Sequence, residues 1–94
     1  MYTLRIEHAV PDFDRWKQAF DGDPADRKGS GVVAYRVHRA VDEPNLVLID
    51  LDFETAEAAD AMHEKMRGLW AGPGKAVIIS PTARVTEQVE ALYL

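Results

Sequence analysis

The sequence predicts an α+β sandwich: a four-stranded antiparallel sheet with two helices on one face. Three observations carry this expectation. Four segments read as strands, most of them alternating apolar and polar residues. Two segments carry apolar stripes at helical spacing. The elements follow in the order β-α-β-β-α-β, with a hairpin in the middle.

The first strand is Tyr2–Ala9, where Leu4, Ile6 and His8 share one face and Thr3, Arg5 and Glu7 the other. Pro11 ends it, and Asp12 is placed to cap a helix whose stripe is Phe13, Trp16 and Phe20. Gly22, Pro24, Gly29 and Gly31 make the next segment a loop. Val32–Ala40 and Leu46–Phe53 form a hairpin around "DEPN". Thr55 caps the second helix, with Ala59, Met62, Met66, Leu69 and Trp70 as its stripe; Gly72 and Pro73 end it. "AVIIS" is an apolar stretch of unassigned type. The last strand is expected over Thr82–Ala91, with Ala83, Val85 and Val89 on one face and Arg84, Thr86, Gln88 and Glu90 on the other.

The hairpin pattern fixes its own register, because a one-residue slip would mix its two faces. Val33 is set opposite Phe53, Tyr35 opposite Leu51 and Val37 opposite Ile49, all beneath the helices. On the reverse, Arg36 opposes Asp50, Ala34 opposes Asp52 and His38 opposes Leu48. The open face then holds Arg5, Arg36 and Arg84 against Glu7, Asp50, Asp52 and Glu90, a near-balanced charge lattice. With right-handed crossovers the arrangement is ferredoxin-like.

The 94 residues are expected to form one domain, 1–94, large enough to bury roughly 60–65% of the unfolded surface. A net charge of −5 argues against nucleic acid and anionic membranes as partners. The absence of cysteine excludes disulfides, thiolate catalysis and thiolate metal sites. "MYTLRIEHAV" has no signal-peptide pattern and no apolar run reaches the roughly 18 residues of a membrane span, so a cytoplasmic protein is the expectation. The three histidines lie on different elements with no paired spacing, and no metal is expected. "GDPADRKGSG" lacks the GK[ST] of a phosphate loop.

In element order and in "YTLRIEHAVPDFDRWKQAF", "VLIDLDFET", "MRGLW" and "PTARV", the chain resembles the dimeric α/β-barrel superfamily. That superfamily includes the antibiotic-biosynthesis monooxygenase group and small actinobacterial cyclase-like proteins. The resemblance implies a homodimer in which two open sheet faces meet as a barrel, and a pocket between helices and sheet in each subunit. "VII" (Val77–Ile79) and "LYL" (Leu92–Leu94) are apolar pieces that could reach a second subunit.

The resemblance further implies a cofactor-independent oxygenase or cyclase acting on an aromatic or polyketide-like molecule, with no cofactor. Its catalytic candidates here are His8 and His63, imidazoles able to move protons near neutral pH. Trp16, Phe20, Tyr35 and Trp70 would wall the pocket. Trp70 and Arg84 match two of the residue types that cofactor-free oxygenases use, but the only Asn, Asn45, lies in the hairpin turn. The Asn, Trp and later His of the haem-degrading branch are not met, so haem is not expected. Two other readings stand beside the enzyme: a non-catalytic, dimeric small-molecule-binding or accessory protein, and a domain whose packed interior holds no pocket.

Overall fold

The computed structural model describes residues 1–94. Strands β1 (Tyr2–Ala9), β2 (Val32–Arg39), β3 (Leu46–Phe53) and β4 (Ile79–Glu87) form one antiparallel sheet in the order β2-β3-β1-β4. Helices α1 (Phe13–Asp21) and α2 (Ala56–Ala71) occupy the sequence positions expected of them. The four-stranded, ferredoxin-like βαββαβ sandwich is therefore the observed architecture.

Local chemistry explains where the elements begin. The Asp12 carboxylate accepts from the backbone N–H groups of Asp14 and Arg15 at the start of α1. Thr55 Oγ1 accepts from Ala58 N–H at the start of α2. Gly72 then closes α2, and Pro73 opens a short 3₁₀ turn, Pro73–Ala76.

The central strands divide cleanly. Leu4, Ile6, Val47, Ile49, Leu51 and Phe53 are all buried and join Trp16, Ala59 and Met62 in the core. On the outer strand β2, Tyr35 and Val37 pair with Leu51 and Ile49, and Tyr35 meets Phe20 of α1 at 5.5 Å between ring centroids. Odd-numbered residues of β2 from Tyr35 onward thus lie beneath the helices.

Three expectations are corrected. Val33 does not face Phe53; Val32 does, and Val33 is an extra, half-exposed residue bulged between the Val32–Phe53 and Ala34–Asp52 pairs. Two adjacent valines are interchangeable to an apolar pattern. The backbone chooses between them, with Gly31 at φ 94° turning the chain into the strand.

The last strand runs Ile79–Glu87 rather than Thr82–Ala91. Pro81 is tolerated inside it because β4 is an edge strand. The strand stops at Glu87 because β1 begins at Tyr2, the partner of Glu87. Beyond it only Gln88 N–H reaches back, to the Met1 carbonyl. Val89 is therefore exposed rather than on a buried face, and Gln88 and Glu90 lie outside the sheet; Leu92, Tyr93 and Leu94 are exposed as well.

The third correction concerns "VII". Val77 and Ile78 pack against the core of their own chain, and only Ile79 is exposed. They are absorbed because the 3₁₀ turn folds this segment back under α2.

The open face carries a connected ion network. Asp50 takes a fork from Arg5 (3.2 and 3.3 Å) and lies 3.5 Å from Arg36. The shorter bonds of Arg36 go diagonally to Asp52 (2.8 and 3.0 Å), which also accepts from Thr3 Oγ1 at 2.8 Å. The directly opposed Arg36–Asp50 pair is therefore the weaker of the two. Arg36 holds the Asp52 carboxyl below its ordinary pKa, assisted by Thr3 and opposed by partial burial. Arg84 stands opposite Arg5 and forms no ion pair. No helix is long and apolar enough to cross a membrane.

Candidate functional site

Between the helices and the sheet lies a cavity of about 360 Å³. Ile6, Ile49 and Leu51 form its floor, α1 supplies Trp16 and Phe20, and α2 supplies Met66, Leu69 and Trp70. Pro73, Gly74, Val77 and Ile78 close the end beneath α2, and Pro24, Ala25 and Arg27 form the rim after α1. The volume is within the usual range for a small-molecule site.

β4 leaves its register beside His8. Glu7 pairs with Thr82 and Ala9 with Ile79, so Ser80 and Pro81 bulge where His8 would otherwise have a partner; Ser80 takes φ 50°. His8 is 2% exposed and lines the cavity. Its ring meets Trp16 edge-on at 5.5 Å. Nδ1 lies 3.2 Å from the Ala9 carbonyl. A carbonyl only accepts, so Nδ1 carries the proton and the Nε2 lone pair is left without a protein partner. Burial lowers the pKa of His8, and the bond to Ala9 only partly opposes this. The imidazole is neutral at pH 7, a base rather than an acid.

The aromatic wall on α1 is formed by Trp16 and Phe20, 5.1 Å apart between centroids; Phe13 lies 5.8 Å from Trp16 but does not line the cavity. Trp70 faces this wall from α2, and its buried Nε1–H has no hydrogen-bond partner. An unpaired buried donor is costly unless a guest accepts from it.

Of the residues singled out in the sequence, His8, Trp16, Phe20 and Trp70 converge on the cavity. Tyr35 and His63 do not line it. Tyr35 stands behind Phe20 on the outer strand, and His63 is a half-buried α2 residue one position past the stripe. His38 lies on the other side of the sheet, in a shallow polar depression with Arg5, Glu7, Asp50 and Arg84. No group of His, Cys, Asp or Glu side chains is arranged to hold a metal ion.

Arg27 is a lining residue that sequence reasoning missed. Nothing in "GDPADRKGSG" distinguishes it from a solvated loop arginine. In the structure its side chain is 13% exposed. Its guanidinium carbon lies 4.0 Å from the Phe20 centroid and 4.8 Å from that of Tyr35. Nη1 donates to the Phe20 carbonyl at 2.8 Å.

Neither a family model nor a curated protein sequence matches the chain. Solved structures do. The cofactor-independent oxygenase SnoaB from Streptomyces nogalater superposes with a TM-score of 0.72 at 14% identity, over 97% of this chain and 95% of that one. An antibiotic biosynthesis monooxygenase-like protein from Nitrosomonas europaea gives 0.71 at 13% identity, over 94% and 89%. A dimeric ferredoxin-like protein from an uncultured marine organism gives 0.71 at 6% identity, over 99% and 98%. The chain has the fold of the antibiotic biosynthesis monooxygenase-like proteins. At these identities the likeness concerns the backbone, so the chemistry must be argued from this chain's own cavity.

Proposed function

We propose that this protein is a homodimeric, cofactor-independent oxygenase- or cyclase-like protein that takes an aromatic or polyketide-like molecule into the cavity between helices and sheet. The observation that carries this reading is the Nε2 lone pair of His8. It is the only nitrogen or oxygen acceptor among the side chains lining a cavity otherwise walled by hydrocarbon, thioether, indole and guanidinium groups. A planar guest between Trp16 and Trp70 would present an acidic O–H or C–H to that base. For an anthrone, His8 takes the proton and leaves an electron-rich anion. Dioxygen then adds at carbon; one oxygen atom stays as the quinone carbonyl and the other leaves as water, the substrate supplying the electrons. The fold of SnoaB, itself a cofactor-independent oxygenase, supports this chemistry. The dimeric ferredoxin-like neighbour supports a homodimer.

One observation favours the second reading, a binding protein without turnover. His63 lies off the cavity, so His8 works with no second acid–base group beside it. His8→Gln separates the two. Titration with anthrones, hydroxyquinols and flavonoid-like compounds should quench tryptophan fluorescence saturably in both proteins. Oxygen uptake should occur in the wild type alone. Uptake by the variant at full rate would remove His8 from the chemistry, and no saturable quenching in the wild type would remove the pocket.

A further inference from the structure

Among 16 acidic and 11 basic side chains, Arg27 alone places a full charge on the cavity wall. No carboxylate lines the cavity, although the protein carries a net charge of −5. We infer that Arg27 is a specificity residue: it selects an aromatic ligand bearing a carboxylate, which its guanidinium meets at the rim while the ring system enters the apolar interior. This rests on the reading of the cavity as a small-molecule site and adds the class of ligand.

The guanidinium is held in place before any ligand arrives. Phe20 and Tyr35, edge to face with each other, both contact its guanidinium, so two aromatic neighbours restrain it. Nη1 is tied to the Phe20 carbonyl, which belongs to the helix that walls the cavity. Nε lies 3.5 Å from Asp23 Oδ1, an ion-pair distance too long for a strong hydrogen bond. Nη2 makes no hydrogen bond within the protein.

Arg27 therefore sits at the junction between the cavity and a second hollow formed by Asp23, Lys28 and the start of β2. Its competitors are few. Asp23 is the one carboxylate in contact with it, and that side chain is 37% exposed. Lys65 is engaged with the Ala25 carbonyl and Ser30. A planar, partly desolvated guanidinium with free donors is suited to a carboxylate, which it can bind with two parallel hydrogen bonds.

The test is isothermal titration calorimetry with a matched pair, 2-naphthoate and methyl 2-naphthyl ketone, which differ only in an O⁻ replaced by a methyl group. Wild-type protein should bind the acid at least tenfold more tightly than the ketone. Arg27→Met, which keeps the apolar stem, should bind the ketone within about twofold of wild type and lose the preference. Arg27→Lys keeps the charge without the fork and should retain only part of it. Equal affinities in the wild type, or an undiminished preference in Arg27→Met, would overturn the assignment while leaving the pocket intact. Should Arg27→Met fail to fold, the wild-type pair still decides whether an anion is preferred, and Arg27→Lys decides whether Arg27 is responsible. Failure of the wild type to bind either compound would overturn the pocket reading, and this inference with it.

Discussion

Asp52→Asn is the sharpest probe of the open sheet face. The carboxylate is 14% exposed and accepts a two-bond fork from Arg36 plus the Thr3 hydroxyl. The amide keeps one acceptor for Thr3 but turns an N–H₂ group toward the guanidinium. A hydrogen bond to a charged group contributes about 1.5–3 kcal/mol when well buried. Arg36 is 45% exposed, so water screens its half of the pair and the expected cost is about 1–2 kcal/mol.

For a domain of this size that is a fall in Tm of roughly 4–16 °C at pH 7, readable by circular dichroism. The pH dependence is the stricter test. Asp52 has a lowered pKa in the folded protein, so its contribution is fully present above the ordinary value of 3.8 and is lost as pH falls through the folded value. The gap between wild type and variant should stay flat from pH 7 to about pH 4 and close below it. A gap that survives unchanged at the lowest pH where both proteins fold would refute the reasoning. So would the absence of any gap at pH 7.

Other outcomes follow from the same contacts. His8 is neutral when folded but can take a proton when unfolded, so wild-type stability should fall as pH drops below the ordinary histidine value of 6.5; His8→Gln should flatten that fall in urea titrations between pH 7 and pH 5. Gly31→Ala places a Cβ at φ 94°, near Ala58 Cβ at 3.5 Å, and should cost about 1–2 kcal/mol, read as a lower thermal midpoint. Deleting residues 89–94 removes exposed chain and should shift the Tm of dilute protein by less than about 2 °C. If this tail reaches a second subunit, the deletion should also weaken the homodimer, measured by light scattering across a dilution series.

The strand and helix frame was legible because each element announces itself twice. β1 and β3 have a two-residue period together with central burial, and both helices have a stripe and a capping side chain. Where only one signal was present, the reading slipped. β4 has a weak alternation and a proline, so its bounds moved by three or four residues. Val32 and Val33 are identical in character, and only backbone geometry separates them. At the site, His8 was legible because its strand face was. His63 and Tyr35 were placed on the correct elements, but element assignment does not say how far along a helix or sheet a cavity extends. Arg27 was invisible because its role depends on a loop folding back over Phe20 and Tyr35, a contact no local period encodes.

The surplus residue at Val33 has an evolutionary corollary. Removing it would join Val32 directly to Ala34, and each would keep its present cross-strand neighbour, Phe53 or Asp52. This edge strand can therefore gain or lose one amino acid without turning any other side chain inside out. In the regularly paired stretches of the sheet, away from this bulge and the one at Ser80 and Pro81, the same single deletion would exchange interior and exterior along the rest of its strand.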